Sequence, residues 1–201
     1  MLEQDAMKGN FKAQMELAEM YLNEDNDPES FKWHKMAAEN PSGNLSQRAD
    51  AQFVTGLLYE SLHEAGLGSV TQSDKNAAYW YEQAAMNGNA NAQDRLARCY
   101  SEGVWGVKQD INNALVWSLK AAEQGHTQAM TLTASTYWTM FRNSDMTDAK
   151  HLSEAKKWLT CSVENGDEDA KEMLKQILAF EQMRGEVEVI DGGGKKIKRL
   201  K

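Results

Sequence analysis

The sequence predicts an all-α protein: a solenoid of stacked antiparallel helix pairs, about four repeats long, ending in a short charged tail or hairpin. Three observations predict it. First, one piece recurs along the chain. It reads WYEQAAMNGNANAQ from Trp80, WSLKAAEQGHTQAM from Trp117 and WLTCSVENGDEDAK from Trp158. Met1 begins a version with Met in the Trp place, and Trp33 begins another that runs into Pro41. Second, the alanine near the end of each piece falls at Ala13, Ala51, Ala92, Ala129 and Ala170, in steps of 38, 41, 37 and 41. Third, each unit has two landmarks. Tyr21, Tyr59, Tyr100 and Tyr137 (Leu178 in the fifth unit) mark one half, and Trp33, Trp80, Trp117 and Trp158 mark the other. Two landmarks in a period near forty residues mean two helices per repeat.

Each half has helical spacing. Ala92, Leu96, Ala97 and Tyr100 share one helix face, as do Ala114, Trp117, Ala121 and Ala122 in the partner segment. Small residues recur at Ala18, Gly56, Ala97 and Ala134, where the neighbouring helix has to come close. Gly88, Gly125 and Gly166 end the second helices, since glycine adopts the left-handed conformation at little cost. His126, in such a turn, is expected on the surface. The units are not identical. The first has a short connection between Tyr21 and Trp33, and its exit, NPSGNLSQRAD, is six residues longer than the others. That insertion is expected to alter the packing of repeats one and two. The fourth unit has WTMFRNSDMTDAKH in place of loop glycines. Met1 to Gly9 reads as the end of a missing helix, so the array is either a short form or a piece of a longer protein. Residues 1–180 are expected to form the solenoid and 181–201 the tail. In the tail, EVEVI alternates like a strand, GGG punctuates and KKIKRLK is basic. Its readings are a small hairpin or a disordered end.

Totals narrow the function. A net charge of -8 opposes nucleic acid as the main partner, because phosphate binding needs a positive field. No apolar run approaches the roughly 18 residues of a membrane span, and MLEQDAMKGN has no secretory character. Cys99 and Cys161 form no CxxC motif; two lone thiols fit a reducing, cytoplasmic setting and ordinary packing. The four histidines, His34, His63, His126 and His151, show no metal-ligand spacing. Neither a Walker loop nor a dinucleotide fingerprint is present. Gly103 to Val107 (GVWGV) belongs to an inter-helix turn, so no cofactor is expected. Asp167, Glu168 and Asp169 read as a solvated helix start favoured by the helix dipole.

The unit A-x-x-x-L-[AG]-x-x-Y, a Gly-rich loop, then A-x-x-W-x-x-K-A-A-E-x-G resembles the Sel1-like repeat. AQDRLARCY followed by SEGVWGVKQDINNALVWSLKAAEQG shows it best, and the resemblance covers roughly Met1 to Leu178. The family is similar to tetratricopeptide (TPR-like) repeats. This implies a right-handed superhelix and a protein that binds proteins and organises complexes, mostly in bacteria. The first helices would then line a concave groove. Helical geometry puts Met15, Glu19, Phe53, Leu57, Asp94, Arg98, Thr131, Ser135 and Trp138 in it. Trp138 and Trp105 lie outside the framework places and are candidate anchors, and Arg98 offers a fork for a carboxylate. The expected function is a non-catalytic adaptor for a protein or peptide. Alternatives are an immunity or inhibitor protein that neutralises a toxin, a structural fragment of a larger assembly, and a weak penicillin-binding or β-lactamase-like enzyme. The last draws on Ser153-Glu-Ala-Lys156, an S-x-x-K match, but the cysteine pair of such relatives is missing.

Overall fold

Alanine and leucine at helical spacing, bounded by asparagine, aspartate and glycine, build helices that pair in chain order. The computed structural model describes residues 1–64, 70–186, 189–190 and 196–197, with side chains at 62–73 and from 185 onward left aside. Among the described residues the order is α1 (Leu2–Met7), α2 (Phe11–Asn23), α3 (Asp27–Glu39), α4 (Leu45–Glu64) and α5 (Val70–Met86). There follow α6 (Ala90–Glu102), α7 (Ile111–Glu123), α8 (Thr127–Asn143), α9 (Ala149–Glu164) and α10 (Glu168–Glu186). Each helix packs on the one before and the one after, giving an α/α solenoid. Helix α10 runs on to Glu186, past the residue-180 limit expected for the solenoid. Two short strands, β1 (Val189–Ile190) and β2 (Lys196–Ile197), pair antiparallel after it. The glycines and most of the basic residues of the expected hairpin lie outside the described residues.

The core is a series of small clusters instead of one centre. Ala6, Leu17, Ala18 and Trp33 form one; Phe11, Ala37, Ala51 and Trp80 the next; later clusters centre on Ala92 and Leu96, and on Ala121 and Ala129. The last, around Phe141, Leu152, Leu159 and Ile177, is the richest in large side chains. Serial clusters are what a solenoid requires, since each unit buries its apolar face only against its neighbours. The small-residue place behaves as expected. Ala18, Ala97 and Ala134 are fully buried, and a Cβ on Gly56 would lie 2.6 Å from the Tyr81 ring.

The turns between pairs, apart from the one between α3 and α4, share one design. Gly9, Gly88, Gly125 and Gly166 have φ between 87° and 95°. The next residue caps the following helix. Asn10 and Asn89 accept from the backbone N–H of Ala13 and Ala92, His126 through Nδ1 from Ala129, and Asp167 from Asp169 and Ala170. Where glycine is missing from the loop between α8 and α9, Asp145 and Met146 themselves take left-handed angles. The insertion after α3 becomes the start of α4. Asn44 and Gln47 each accept from the other's backbone N–H, at 2.9 and 3.2 Å, a reciprocal box that opens the helix early.

Candidate functional site: the seam and the inner face

A polar ladder, unnoticed in the sequence, runs along the turns. Gln14, Gln52 and Gln93 stand second in the repeated alanine motif and are buried. Their side-chain amides donate to the carbonyls of Ala6, Ala38 and Ala85, in the last turn of the preceding second helix. Their oxygens accept from Asn40, Asn87 and Gln124, which close the pair that each glutamine opens. Met130 occupies this place in the next unit and meets Asn165 only through its sulfur, at 3.8 Å. There the polar link moves one residue on. Thr131 Oγ1 lies 2.6 Å from Asp167 Oδ2 and 2.7 Å from Ser162 Oγ, which in turn reaches Asp167 at 3.1 Å. The Thr131 hydroxyl is the main reason that the Asp167 carboxyl is held below its ordinary range. The recurring glutamine was visible in the sequence as a period, but its partners lie up to 35 residues away.

First helices also meet one another. α6 touches α8 directly, and Arg95 of α6 reaches Glu60 of α4 at 3.4 Å; no contact of similar extent joins α5, α7 and α9 among the described residues. Two clefts open beside these helices. One, of about 450 Å3, lies between α6 and α8 and is lined by Ser101, Gln109, Ile111, Ser135, Thr136 and Thr139. The other, of about 330 Å3, lies beside Glu60, Arg95, Arg98 and Trp105.

The expected groove residues divide between these clefts and the packing. Ser135 lines the first cleft and Arg98 the second. Glu19 is exposed, and Leu57 is half-buried. Met15 packs against the Phe11 and Trp80 cluster, and Phe53 against the Ala84 and Leu96 cluster, 5.9 Å from the Tyr81 ring. Asp94 is buried and accepts from Arg98 Nε at 2.9 Å. Thr131 belongs to the clasp with Ser162 and Asp167. Trp138 is half-buried, stacked on Phe141 at 5.4 Å with its ring edge-on to Phe180. Trp105 keeps a half-exposed ring 5.4 Å from Tyr81. The Tyr81 hydroxyl donates to Glu60 at 2.6 Å, and burial followed by that carboxylate pushes its pKa up. Glu60, Tyr81 and Arg95 thus join the site without having been singled out in the sequence.

Ser153 is exposed, and the ammonium of Lys156 is held by Glu181 at 2.8 and 2.9 Å. Burial pushes the Cys99 thiol up to about 12, a packing cysteine rather than a nucleophile. His34 is buried with Nδ1 against the Ser30 carbonyl and hydroxyl, and burial lowers its pKa. Among the described residues no cluster of metal-ligating side chains occurs, and no helix is long and apolar enough to cross a membrane.

Comparison with known proteins agrees with this geometry. A solved protective antigen present in uropathogenic Escherichia coli strains, displaying an SLR fold, is 26% identical with a TM-score of 0.68. The match covers 90% of this chain and 36% of that one. A Sel1 repeat protein from Oxalobacter formigenes is 27% identical with a TM-score of 0.64, over 88% of this chain and 48% of that one. The chain therefore spans less than half the length of either solved protein. The Sel1 repeat model matches residues 11–42, 49–89 and 90–126, more than half of the sequence, and the chain belongs to the Sel1 repeat family.

Proposed function

We propose that the protein is a non-catalytic interaction module, an adaptor that receives a protein or an extended peptide along the inner face of its first helices. The observation that carries this reading is the pair of clefts on one face. They are lined by hydroxyl, amide and guanidinium groups, on helices fixed by packing behind them. Rigid elements presenting polar groups to an open groove suit recognition of a chain. Sel1 repeats generally mediate protein–protein interaction, which supports the same reading. The net charge of -8 favours protein over nucleic acid and speeds association with a basic partner.

The test is an affinity pull-down from the native cell with mass spectrometry. Wild type is compared with a Ser135→Arg/Arg98→Glu variant that obstructs both clefts. The reading expects a protein retained by wild type and lost by a variant with an unchanged helical melt. The same set retained by both moves binding off the inner face.

A further inference from the structure

The two clefts differ in chemistry. The smaller one is lined by charges of both signs, Arg95 and Arg98 beside Glu60 and Glu102. Among the described residues, no charged side chain lines the larger one, between α6 and α8. The charged residues next to that lining in sequence, Glu102, Lys108, Asp110 and Arg142, are two of each sign, so their charges offset. A charged ligand group leaving water for this cleft would meet no counter-charge. Ile111 is the one apolar residue of the described lining, so a bulky apolar side chain finds no pocket there either.

What the lining offers is neutral hydrogen bonding. The Ser135 and Thr136 hydroxyls both donate to the Leu132 carbonyl, at 2.9 and 2.8 Å, and the Thr139 hydroxyl donates to the Ser135 carbonyl at 2.9 Å. Their remaining lone pairs are left as acceptors. Because two hydroxyls share the Leu132 carbonyl, one of them is able to turn and donate instead. On the opposite wall Gln109 Nε2 donates to the Ser101 carbonyl at 2.9 Å, which leaves Gln109 Oε1 as an acceptor. The Asn143 carboxamide has no partner among the described residues and offers both donor and acceptor. The spacing is regular. Ser135, Thr139 and Asn143 follow one another by about one helical turn, roughly 6 Å along the α8 axis. An extended chain turns the N–H and C=O of every second residue to the same edge, about 6.7 Å apart. Its peptide groups are neutral and bring one donor and one acceptor per residue. They match a neutral lining at that spacing.

We propose that the cleft between α6 and α8 recognises the main chain of an extended, uncharged partner segment lying along Ser135, Thr139 and Asn143. The Ser135 and Thr139 oxygens accept from its N–H groups, and the Asn143 carboxamide pairs with the N–H and C=O of one residue. Selection is against charge and against proline, which lacks the N–H, and is otherwise tolerant of sequence. This rests on the reading above, that a partner lies along the first helices. The test presents two randomised hexapeptide libraries, both acetylated and amidated at their ends, to the immobilised full chain. One has ordinary peptide bonds and the other is N-methylated at every residue. The ordinary library should be retained about tenfold better or more, the ratio expected for the loss of two or three hydrogen bonds. Asp, Glu, Lys, Arg and Pro should be depleted at its central positions, with no other residue strongly favoured. Retention should hold between about 0.1 and 0.5 M salt, since no ion pair is formed. Thr139→Val/Asn143→Ala removes two of the three groups at exposed positions, and should bring the libraries level with the helical melt unchanged. Equal retention of the two libraries overturns the proposal. So does a preference unchanged in Thr139→Val/Asn143→Ala, a steep loss with salt, or enrichment of charged residues. If both libraries bind equally and Ser135→Arg removes the binding, the partner reading stands and only the main-chain assignment falls. If neither library is retained, the main-chain assignment falls, and the pull-down decides the partner reading separately.

Discussion

The junctions built on Gln14, Gln52 and Gln93 and the junction at Met130 join the same two structural elements by different chemistry. In the first three, one buried amide satisfies a helix carbonyl behind it and receives the closing amide of its own pair. In the last, the methionine donates to no carbonyl and receives the closing Asn165 amide only at its sulfur, and Thr131, Ser162 and Asp167 form a clasp beside it. The seam therefore needs a polar link, and the position of the link can shift by a residue. A repeat of contacts is not the same as a repeat of residue types.

Substitutions can break this comparison. Gln93→Leu removes one of the two donors to the Ala85 carbonyl, leaving the Gly88 N–H, and deprives the Gln124 amide of its acceptor; it should cost about 1–2 kcal/mol, read as a lower urea midpoint. No change would mean that the ladder is incidental. Asp167→Ala removes a helix cap along with the clasp and should cost about 1–2 kcal/mol. A double-mutant cycle with Thr131→Val should show coupling, and strict additivity would dissolve the clasp into unrelated contacts. Gly125→Val is the control common to both kinds of junction. A Cβ there meets nothing within 4 Å, so a loss of about 1 kcal/mol would come from the left-handed backbone alone. An unaltered melting temperature would contradict that origin.

Acid should separate the two ends. Burial holds the His34 pKa below 6.5, so its contribution is complete above that pH and is lost as the pH falls through the folded value. Asp167 is held below 3.8, so the C-terminal clasp keeps its contribution until the pH drops under that value. Amide exchange should therefore show the α2–α3 pair loosening before the α8–α10 region, and simultaneous loosening would argue against His34 as the cause. The smallest effect is expected from Met130→Gln. It restores a ladder residue opposite the Ala122 carbonyl and should gain no more than about 0.5 kcal/mol. A loss would show that the clasp has remodelled the seam.

The helix pairs were legible because alanine, tyrosine and tryptophan recur where helix faces meet, and those contacts follow local spacing. The ladder was not, because Gln52 finds Asn87 only after the chain has folded back through a full pair. Trp138 shows the same limit. A helical wheel gives its angle but cannot register that Phe180, from α10, comes to meet it. Arg98 was legible as a charged group on a first helix, and it lines the smaller cleft. Its mooring by Asp94 and the left-handed Trp105 were not, since both depend on three-dimensional constraint instead of residue type.

The seam also has a phase. Each glutamine reaches back to the preceding pair and is reached by the end of its own, so one whole unit spliced into the chain brings a matching donor, acceptor and carbonyl. A fraction of a unit would leave the links out of step. The residues added after Asn40 obey this rule: they lengthen α4 ahead of Ala51, while Gln52 still meets Ala38 and Asn87. Such a chain can be lengthened or shortened between generations by duplicating or deleting complete units, with every surviving joint still in register.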